Sequence, residues 1–469
     1  MINSNLKRSL AILLTLILAF SVAGCGSKKA ENNSGSTSTD KKTDDNADSA
    51  SKTDKPFEGV VLHYGVSETS STGGEAVELV ELVKEKTGIQ IDFTIIPNTN
   101  AGEVDKQLVS LMAGDDIDIV YGTTQKLKTY YQAGVLEPLN ELAEADNYDI
   151  QSVFGDSVPV FDDGLSYGLP AFNDIWLTFY NKKIFDEAGV EYPTAEGWTW
   201  EKYIETAKKL TNADADVWGS FMLDYDCYNY LWAMQSGAQA YNEDGTSNFD
   251  DSLFAKGLQF YYDLGNVDKV QPDSIMYASG AYPWNSFVAS GNMGMFVCGG
   301  WVMSMMNNFE KYPRDWEFGI LPMPYPEGQE SSTLAVTGAY GVSASSKNAD
   351  AAFEAIKCMA ENQYKLGHGR IPARTDLTDQ EISDYVTNEL VPAYSKDNVT
   401  EEDFVNAWFN PERKIVSEKI IGTADTVISQ IWTEEGQMYG QGAQSLEDAI
   451  AHIKERSDKA IKEDMASDN

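Results

Sequence analysis

Near the start of the globular part, the spacing of apolar and polar positions changes repeatedly between that of a strand and that of a helix. Residues 59–64, 89–96 and 117–121 form short apolar or alternating runs, which predict strands. The segments between them, 74–87 and 104–112, show helical spacing. The first of these helices is predicted to turn four side chains inward: Val77, Val80, Leu82 and Val83. The β-α-β-α-β order predicts parallel strands joined by right-handed crossovers.

Loops that follow parallel strands are the first places to look for a ligand. Ligands of such sheets bind beyond the carboxyl ends of the strands. The sequence therefore directs attention to the loops 65–71 and 122–125. Their candidate side chains are Ser67, Glu68, Tyr121 and Thr123.

The stretch 166–210 organises the middle of the chain. Residues 172–180 are aromatic and apolar with Pro and Gly before them, which predicts a buried strand. A short helix over 182–189 is predicted to end at Gly189, because glycine tolerates the left-handed position there. Thr199 is predicted to cap the next helix.

Further along, the pattern predicts a mixed succession of strands and helices. The predicted strand is 218–223, the hairpin turn 242–245, and the helices are 228–236, 252–264, 424–431 and 446–461. Over 400 residues follow position 57, which is too long for one simple core and favours two lobes.

The first 57 residues differ in composition from the rest. Lys7 and Arg8 precede an apolar run over 10–22 that is too short to span a bilayer, so residues 1–24 are predicted to be a signal peptide. The sequence Val22-Ala23-Gly24-Cys25 resembles a lipobox, which implies a lipid anchor on Cys25. Residues 25–57 are predicted to be a flexible tether, because the polar run 26–55 lacks aromatic residues.

Charge and cysteine content limit the possible partners. The formal net charge is −38, and the tether carries balanced charges, so the globular part is strongly acidic. Such a surface disfavours nucleic acid and weakly favours a neutral or cationic ligand. Beyond Cys25 there are three cysteines, an odd number that argues against a disulfide framework but leaves one pair open.

Recognisable catalytic or metal-binding motifs are not found. The three histidines are far apart and none lies in HExxH, and neither GxSxG nor GxxxxGK[ST] occurs. A pair of carboxylates for glycoside hydrolysis stays an alternative, because in so acidic a chain any two acids can meet in the fold. The sequence is instead rich in aromatic residues, with 10 Trp and 24 Tyr. Flat rings and polar groups together suit a sugar, although most of these rings are expected in the core.

Several short motifs, in order, resemble family 1 extracellular solute-binding proteins, the sugar-capturing subunits of ABC importers that include maltose-binding protein. These motifs are Tyr167-Gly168-Leu169-Pro170, Tyr180-Asn181-Lys182, Trp198-Thr199-Trp200 and Cys298-Gly299-Gly300-Trp301. The resemblance implies an α/β, two-lobed type II periplasmic-binding-protein fold, with each lobe a doubly wound sheet and three hinge crossings. It places residues 58–172 and 322–368 in an N-terminal lobe, and 173–321 and 369–469 in a C-terminal lobe.

The resemblance also implies a set of ligand-binding residues. Trp301 occupies the family's stacking position, and Gly300 before it is expected to let a ligand approach the backbone. Asp174 lies where maltose-binding protein has a carboxylate that accepts from sugar hydroxyls. The remaining candidates are Phe172, Trp176, Tyr225, Asp226, Tyr121, Thr123, Ser67, Glu68, Trp284, Tyr340 and Arg370.

We therefore expect a monomeric, lipid-anchored protein on the extracytoplasmic face of a bacterial cell membrane. It is expected to close over a sugar or oligosaccharide and deliver it to ABC permease subunits, without a cofactor, a metal or catalysis. Two alternatives stay open at this stage. One is a binding protein for a peptide or polyamine, and the other is a surface glycoside-processing enzyme.

Overall fold

The computed structural model describes residues 55–67, 74–97, 105–366, 371–410 and 413–467. The predicted signal peptide, Cys25 and nearly all of the tether lie outside the described residues. So do Glu68, Arg370 and most of the loop 65–71.

Nine strands lie within the described part of the chain. They are β1 Val61–Ser67, β2 Gln90–Ile96, β3 Ile119–Thr123, β4 Leu169–Asn181, β5 Met295–Gly299, β6 Phe318–Pro322, β7 Ser332–Val342, β8 Ile371–Pro372 and β9 Lys414–Ser417. The predicted strands 59–64, 89–96, 117–121 and 172–180 are confirmed within a few residues.

The helices up to the middle of the chain are α1 Gly74–Thr87, α2 Lys106–Ala113, α3 Thr124–Gln132, α4 Asn140–Ala145, α5 Ile150–Phe154, α6 Lys182–Ala188, α7 Trp200–Leu210, α8 Asp226–Gln235 and α9 Ser252–Asn266. Those that follow are α10 Ser274–Ala278, α11 Ser286–Ser290, α12 Val302–Met306, α13 Ala349–Leu366, α14 Asp379–Tyr385, α15 Val391–Ala393, α16 Glu401–Ala407, α17 Asp425–Gly440 and α18 Leu446–Ser467.

The strands join one mixed sheet in the order β2-β1-β3-β7-β4-β5. In addition, β6 and β8 each pair with β4, and β9 pairs with β7. β1 runs parallel to both β2 and β3, as their crossover helices predict. β4 is antiparallel to β5, β6 and β7. The predicted parallel arrangement is therefore confirmed for β1, β2 and β3. The strands β5, β6 and β7 instead run antiparallel to β4.

β4 passes from one hydrophobic core to another. Leu169 to Phe172 pack into a first core with β1, α1, β3 and α13. Ile175 to Tyr180 pack into a second, larger core with α7, α8, α9, β5 and α17. β7 makes the same passage in the opposite direction, since Leu334 belongs to the second core and Tyr340 to the first. The middle of both strands thus lies between two separately packed bodies.

Local signals fix the elements that follow β4. The Asn181 side chain accepts from the backbone N–H of Lys183 and of Ile184, which caps α6. Gly189 ends that helix in the left-handed conformation, as predicted. Thr199 accepts from the backbone N–H of Lys202 and caps α7, also as predicted.

Two details of the predicted pattern are wrong. On α1, Val83 is buried as predicted and Val80 and Leu82 are half-buried, but Val77 is 39% exposed and Leu79, which the prediction left out, is 2% exposed. The segment 218–223 forms isolated parallel bridges from Trp218 to Met293 and from Phe221 to Phe296 rather than a strand. Its apolar residues are buried, which explains why its pattern resembles that of a strand.

Candidate functional site

A cavity of about 570 Å³ lies where β4 and β7 pass between the two cores. We call it the central cavity. Its wall includes Asn173 and Ile175 of β4, together with Ala335, Val336 and Thr337 of β7. The other lining residues are Thr123, Thr124, Gln125, Asp156, Ser157, Val158, Ile371, Trp408, Ile415, Ser417, Lys419 and Ile421. Apolar faces therefore alternate with hydroxyl and amide groups, as in pockets for small organic ligands.

The polar part of the wall is held in place by its own hydrogen bonds. Thr337 donates its hydroxyl to Asn173 Oδ1 at 2.8 Å, and Asn173 Nδ2 donates to Ser157 Oγ at 3.2 Å. Thr123 caps α3 by accepting from the Lys126 N–H at 3.3 Å. Gln125 lies in the first turn of that helix. The arrangement presents donors and acceptors at defined positions, which a ligand with several hydroxyls requires.

A buried charge network forms another side of the wall. Lys419 lines the cavity, and its Nζ lies 2.6 Å from Asp226 Oδ1. The other oxygen of Asp226 accepts from the hydroxyls of Tyr230 at 2.6 Å and Ser429 at 2.5 Å. Asp226 lies under Lys419 and so contributes to the site through its contact with that side chain.

Glu418 completes the network. Trp176 donates its indole N–H to Glu418 Oε2 at 2.8 Å. Burial raises the pKa of Glu418 above its usual value. For Lys419, burial is the largest influence and lowers the pKa, but the carboxylates of Asp226 and Glu418 contribute to a net rise. Lys419 is therefore charged at neutral pH, and its charge is balanced by acids within the wall.

A group of tryptophans extends from the central cavity toward the surface. Trp408 is 5% exposed and lines the cavity, and its indole N–H finds no acceptor among the described residues. A Cβ on Gly300 would lie 3.7 Å from the Trp408 ring and 3.0 Å from Asp174 Oδ1. Asp174 in turn accepts from the backbone N–H of Trp301 at 3.0 Å. The centroids of the Trp301 and Trp284 rings are 5.9 Å apart.

The two glycines before Trp301 have a packing role that the sequence did not suggest. A Cβ on Gly299 would lie 2.7 Å from Cδ1 of the Trp301 ring, and one on Gly300 would press on the Asp174 carboxylate. The space that missing side chains leave is therefore filled by Trp301 and Asp174. The approach of a ligand to the backbone at Gly300 stays a prediction.

Comparison with known proteins agrees with this architecture. The sequence profile of the bacterial extracellular solute-binding proteins matches residues 68–366, which is well over half of the chain. The chain belongs to this family.

Individual relatives of this solute-binding protein are distant. A putative binding protein of Brucella abortus (strain 2308) is 22% identical over 340 residues, which is 70% of this chain and 80% of that protein. The ABC substrate-binding protein of Listeria monocytogenes in complex with cycloalternan is similar in fold, with a TM-score of 0.71 at 23% identity, over 86% of this chain and 99% of that one. A sugar transporter protein of Rhizobium etli in an open conformation has a TM-score of 0.67 at 20% identity, over 85% and 99% of the two chains. These likenesses establish the two-lobed fold.

The structure brings some of the predicted residues of this solute-binding protein together. Thr123 lines the central cavity. Behind the lining residue Trp408 lie Gly300 and the hydrogen-bonded pair Asp174 and Trp301. Trp284 packs on the Trp301 ring, farther from the cavity. Asp226 lies behind Lys419. Whether these groups contact a ligand remains a prediction.

Other predicted residues lie away from the cavity wall. Trp176, Phe172 and Tyr340 are buried in the cores, and Tyr340 donates its hydroxyl to Gln363 Oε1 at 2.7 Å. Tyr121 packs on Phe172 with ring centroids 6.1 Å apart. Ser67 ends β1, and Tyr225 is exposed at the start of α8.

Sequence reasoning did not single out most of the cavity wall. It named Phe172, Asp174 and Trp176 on β4, whereas the cavity is lined by the alternate positions Asn173 and Ile175. Period-two alternation predicts that neighbours face opposite sides, but it does not say which side is the cleft. The segment 413–421 carried no motif, and it reaches the cavity because β9 pairs with β7.

Three further observations concern the described residues. His63 Nδ1 lies 3.4 Å from Asp116 Oδ2 and 3.7 Å from Asp118 Oδ2. Among the described residues, these three form the group whose side chains are of the kind that binds metal ions. Asp118 already accepts from the backbone N–H of His63 and from the Ser346 hydroxyl, so the group is explained by hydrogen bonds that join segments far apart in sequence. Cys227, Cys298 and Cys358 are free and buried. Within the described ranges, no helix is both long and apolar enough to cross a bilayer.

Proposed function

We propose that this solute-binding protein captures a carbohydrate between its two lobes and delivers it to the permease of an ABC importer. The observation that carries the proposal is the central cavity, whose wall combines fixed hydroxyl and amide groups with a tryptophan face. Sugars present both apolar C–H faces and hydroxyls, and each needs one of these two kinds of partner. The Listeria relative is in complex with cycloalternan and the Rhizobium relative is a sugar transporter protein, which supports a carbohydrate ligand.

The proposed mechanism is closure of the lobes about the crossing strands. We assign residues 58–172 and 322–368 to one lobe and 173–321 and 369–469 to the other. The division of core residues within β4 supports this assignment. The exceptions are Met323, Leu334 and Tyr364, which pack with the second core, and Ala373, which packs with the first. A ligand that contacts both walls binds the closed form more tightly than the open one, and this difference in affinity shifts the population.

The charges around the central cavity argue against a polyamine as the ligand. The acids at and behind the wall are Asp156, Asp226 and Glu418, and Lys419 balances one of them. An anionic ligand is disfavoured, while a polyamine would need acids that are free to face it. Asp226 is buried behind the wall, Glu418 is mostly covered, and both already accept hydrogen bonds. Asp156 is then the acid among the lining residues that can face a ligand, and one carboxylate does not balance the several charges of a polyamine, so a neutral ligand fits better.

The test is a ligand screen on the purified protein. Thermal unfolding would be followed with monosaccharides, oligosaccharides, polyamines and short peptides, because a ligand of the folded state raises the melting temperature. We expect stabilisation by members of the sugar set alone. Calorimetry would then give the affinity, and a reducing-sugar assay would detect turnover. Stabilisation by polyamines or peptides alone, or release of new reducing ends, would contradict the proposal.

A pair of variants on one helix provides the control. Gln125 lines the central cavity, and Gln132 is exposed at the other end of α3. Gln125→Ala should weaken sugar binding roughly tenfold, since a hydrogen bond to a buried ligand is worth about 1 kcal/mol or more. Gln132→Ala should leave the affinity unchanged.

The location is proposed from the sequence. We propose that residues 1–24 direct export and that Cys25 carries the lipid anchor, with residues 25–57 as the tether. Labelled palmitate should be incorporated by the native chain and not by Cys25→Ala. Equal labelling of both would remove the anchor from the proposal.

A further inference from the structure

Trp284 is a large apolar side chain that is 47% exposed. It lies in the turn just before α11. A single exposed ring is common on protein surfaces and is not evidence of a site. The ring of Trp284, however, packs against Trp301, which is itself only partly buried.

A continuous series of contacts connects Trp284 to the central cavity. Trp408 forms part of the cavity wall, and a Cβ on Gly300 would lie 3.7 Å from the Trp408 ring. Trp301 follows Gly300 directly and is fixed by the bond from its N–H to Asp174. Trp284 is the outermost ring of this series. The Trp301–Trp284 ring pair therefore lies next to the wall of the central cavity and extends from it to solvent.

The relative tilt of the two outer rings determines what they can bind. Their planes are inclined by 53° with centroids 5.9 Å apart. One sugar ring cannot lie flat against two faces inclined at that angle. Two successive sugar units can, because a glycosidic linkage lets neighbouring rings turn relative to each other.

We propose that Trp284 is an outer subsite that selects oligosaccharides over monosaccharides. One end of the ligand occupies the central cavity, and later units extend over Trp301 to Trp284. This inference rests on the proposed function and adds the class of substrate. Trp284 acts here as a specificity-determining residue, since a monosaccharide held in the cavity does not reach it.

The experiment compares chain lengths. Malto-, cello-, xylo- and arabino-oligosaccharides, each from the monosaccharide to the hexamer, would be titrated by calorimetry into the native protein and Trp284→Ala. In the series that binds, we expect the affinity of the native protein to rise with length. Trp284→Ala should bind the longer members roughly tenfold more weakly, which corresponds to about 1.4 kcal/mol, and bind the monosaccharide unchanged.

Two variants separate a subsite from a general effect of substitution. Trp284→Phe keeps a flat ring and should retain most of the gain with length. Tyr192 is another exposed aromatic residue, packed on Tyr180 and Phe185 in a segment that contributes nothing to the cavity wall. Tyr192→Ala should therefore match the native protein at every length.

The outcomes distinguish this inference from the function on which it rests. Sugar binding that does not depend on length, or an equal effect of Trp284→Ala on the monosaccharide and the hexamer, would overturn the subsite and leave sugar capture intact. Failure of the native protein to bind any of the four series would contradict the proposed function itself, and the subsite with it.

Discussion

Lys419 offers a direct test of the charge network behind the central cavity. Its Nζ is 2.6 Å from Asp226 Oδ1, and its side chain is 24% exposed whereas Asp226 is 5% exposed. Lys419→Met would leave a buried carboxylate with only the hydroxyls of Tyr230 and Ser429 as donors. Removing one member of a buried pair costs about 3–5 kcal/mol. Because Lys419 is partly hydrated, we expect about 3 kcal/mol.

The second step of the cycle removes the carboxylate charge as well. Asp226→Asn keeps an oxygen that can accept from Tyr230 or Ser429, and no uncompensated charge then remains on the Asp226 side of the pair. The double variant Lys419→Met/Asp226→Asn should therefore be more stable than Lys419→Met alone, by roughly 2 kcal/mol. This gain measures the cost of leaving Asp226 charged and unpaired.

The assay is urea unfolding followed by tryptophan fluorescence, and the midpoint should shift at an unchanged slope. Lys208 is the matched control, because its Nζ lies 2.7 Å from Asp268 but its side chain is 51% exposed. Lys208→Met should cost less than about 1 kcal/mol. Asp226→Asn alone completes the cycle. If the double variant loses the sum of the effects of Lys419→Met and Asp226→Asn, the two groups are not coupled and the network has been misread.

Two other predictions address the site and the core. Asp174→Ala should destabilise the protein by about 1–3 kcal/mol, because it leaves the backbone N–H of Trp301 without its acceptor. Asp174→Asn keeps an acceptor oxygen and should lose less stability. Equal urea midpoints for the two variants would contradict this prediction. Alkaline pH should unfold the protein, because burial raises several tyrosine pKa values well above 10. The folded state then keeps protons that the unfolded chain releases, and stability falls above pH 10 by up to about 1.4 kcal/mol per pH unit for each such tyrosine. Circular dichroism against pH should show unfolding together with, and not after, the rise in tyrosinate absorbance. The tyrosines concerned are Tyr228, Tyr230, Tyr261, Tyr262 and Tyr277.

Local elements were largely predictable because their causes are local. Gly189 and Thr199 limit α6 and α7 through backbone conformation and capping, which depend on the residue itself and its immediate neighbours. The run 172–180 became a strand because its apolar residues pack on both sides of the sheet. The exception at Val77 shows the limit, since adjacent apolar positions on α1 allowed two buried faces and packing against the sheet selected one.

The amino-acid sequence by itself determined the strands, the helix ends and the family to which this chain belongs. The tertiary structure alone decided which side of β4 faces the central cavity, and that Lys419 and Trp408 reach it from the C-terminal part of the chain. The physical reason is the range of the interactions. Caps and periodicity act within one element, whereas the cavity is formed by strand pairings between segments far apart in sequence, such as β7 with β9.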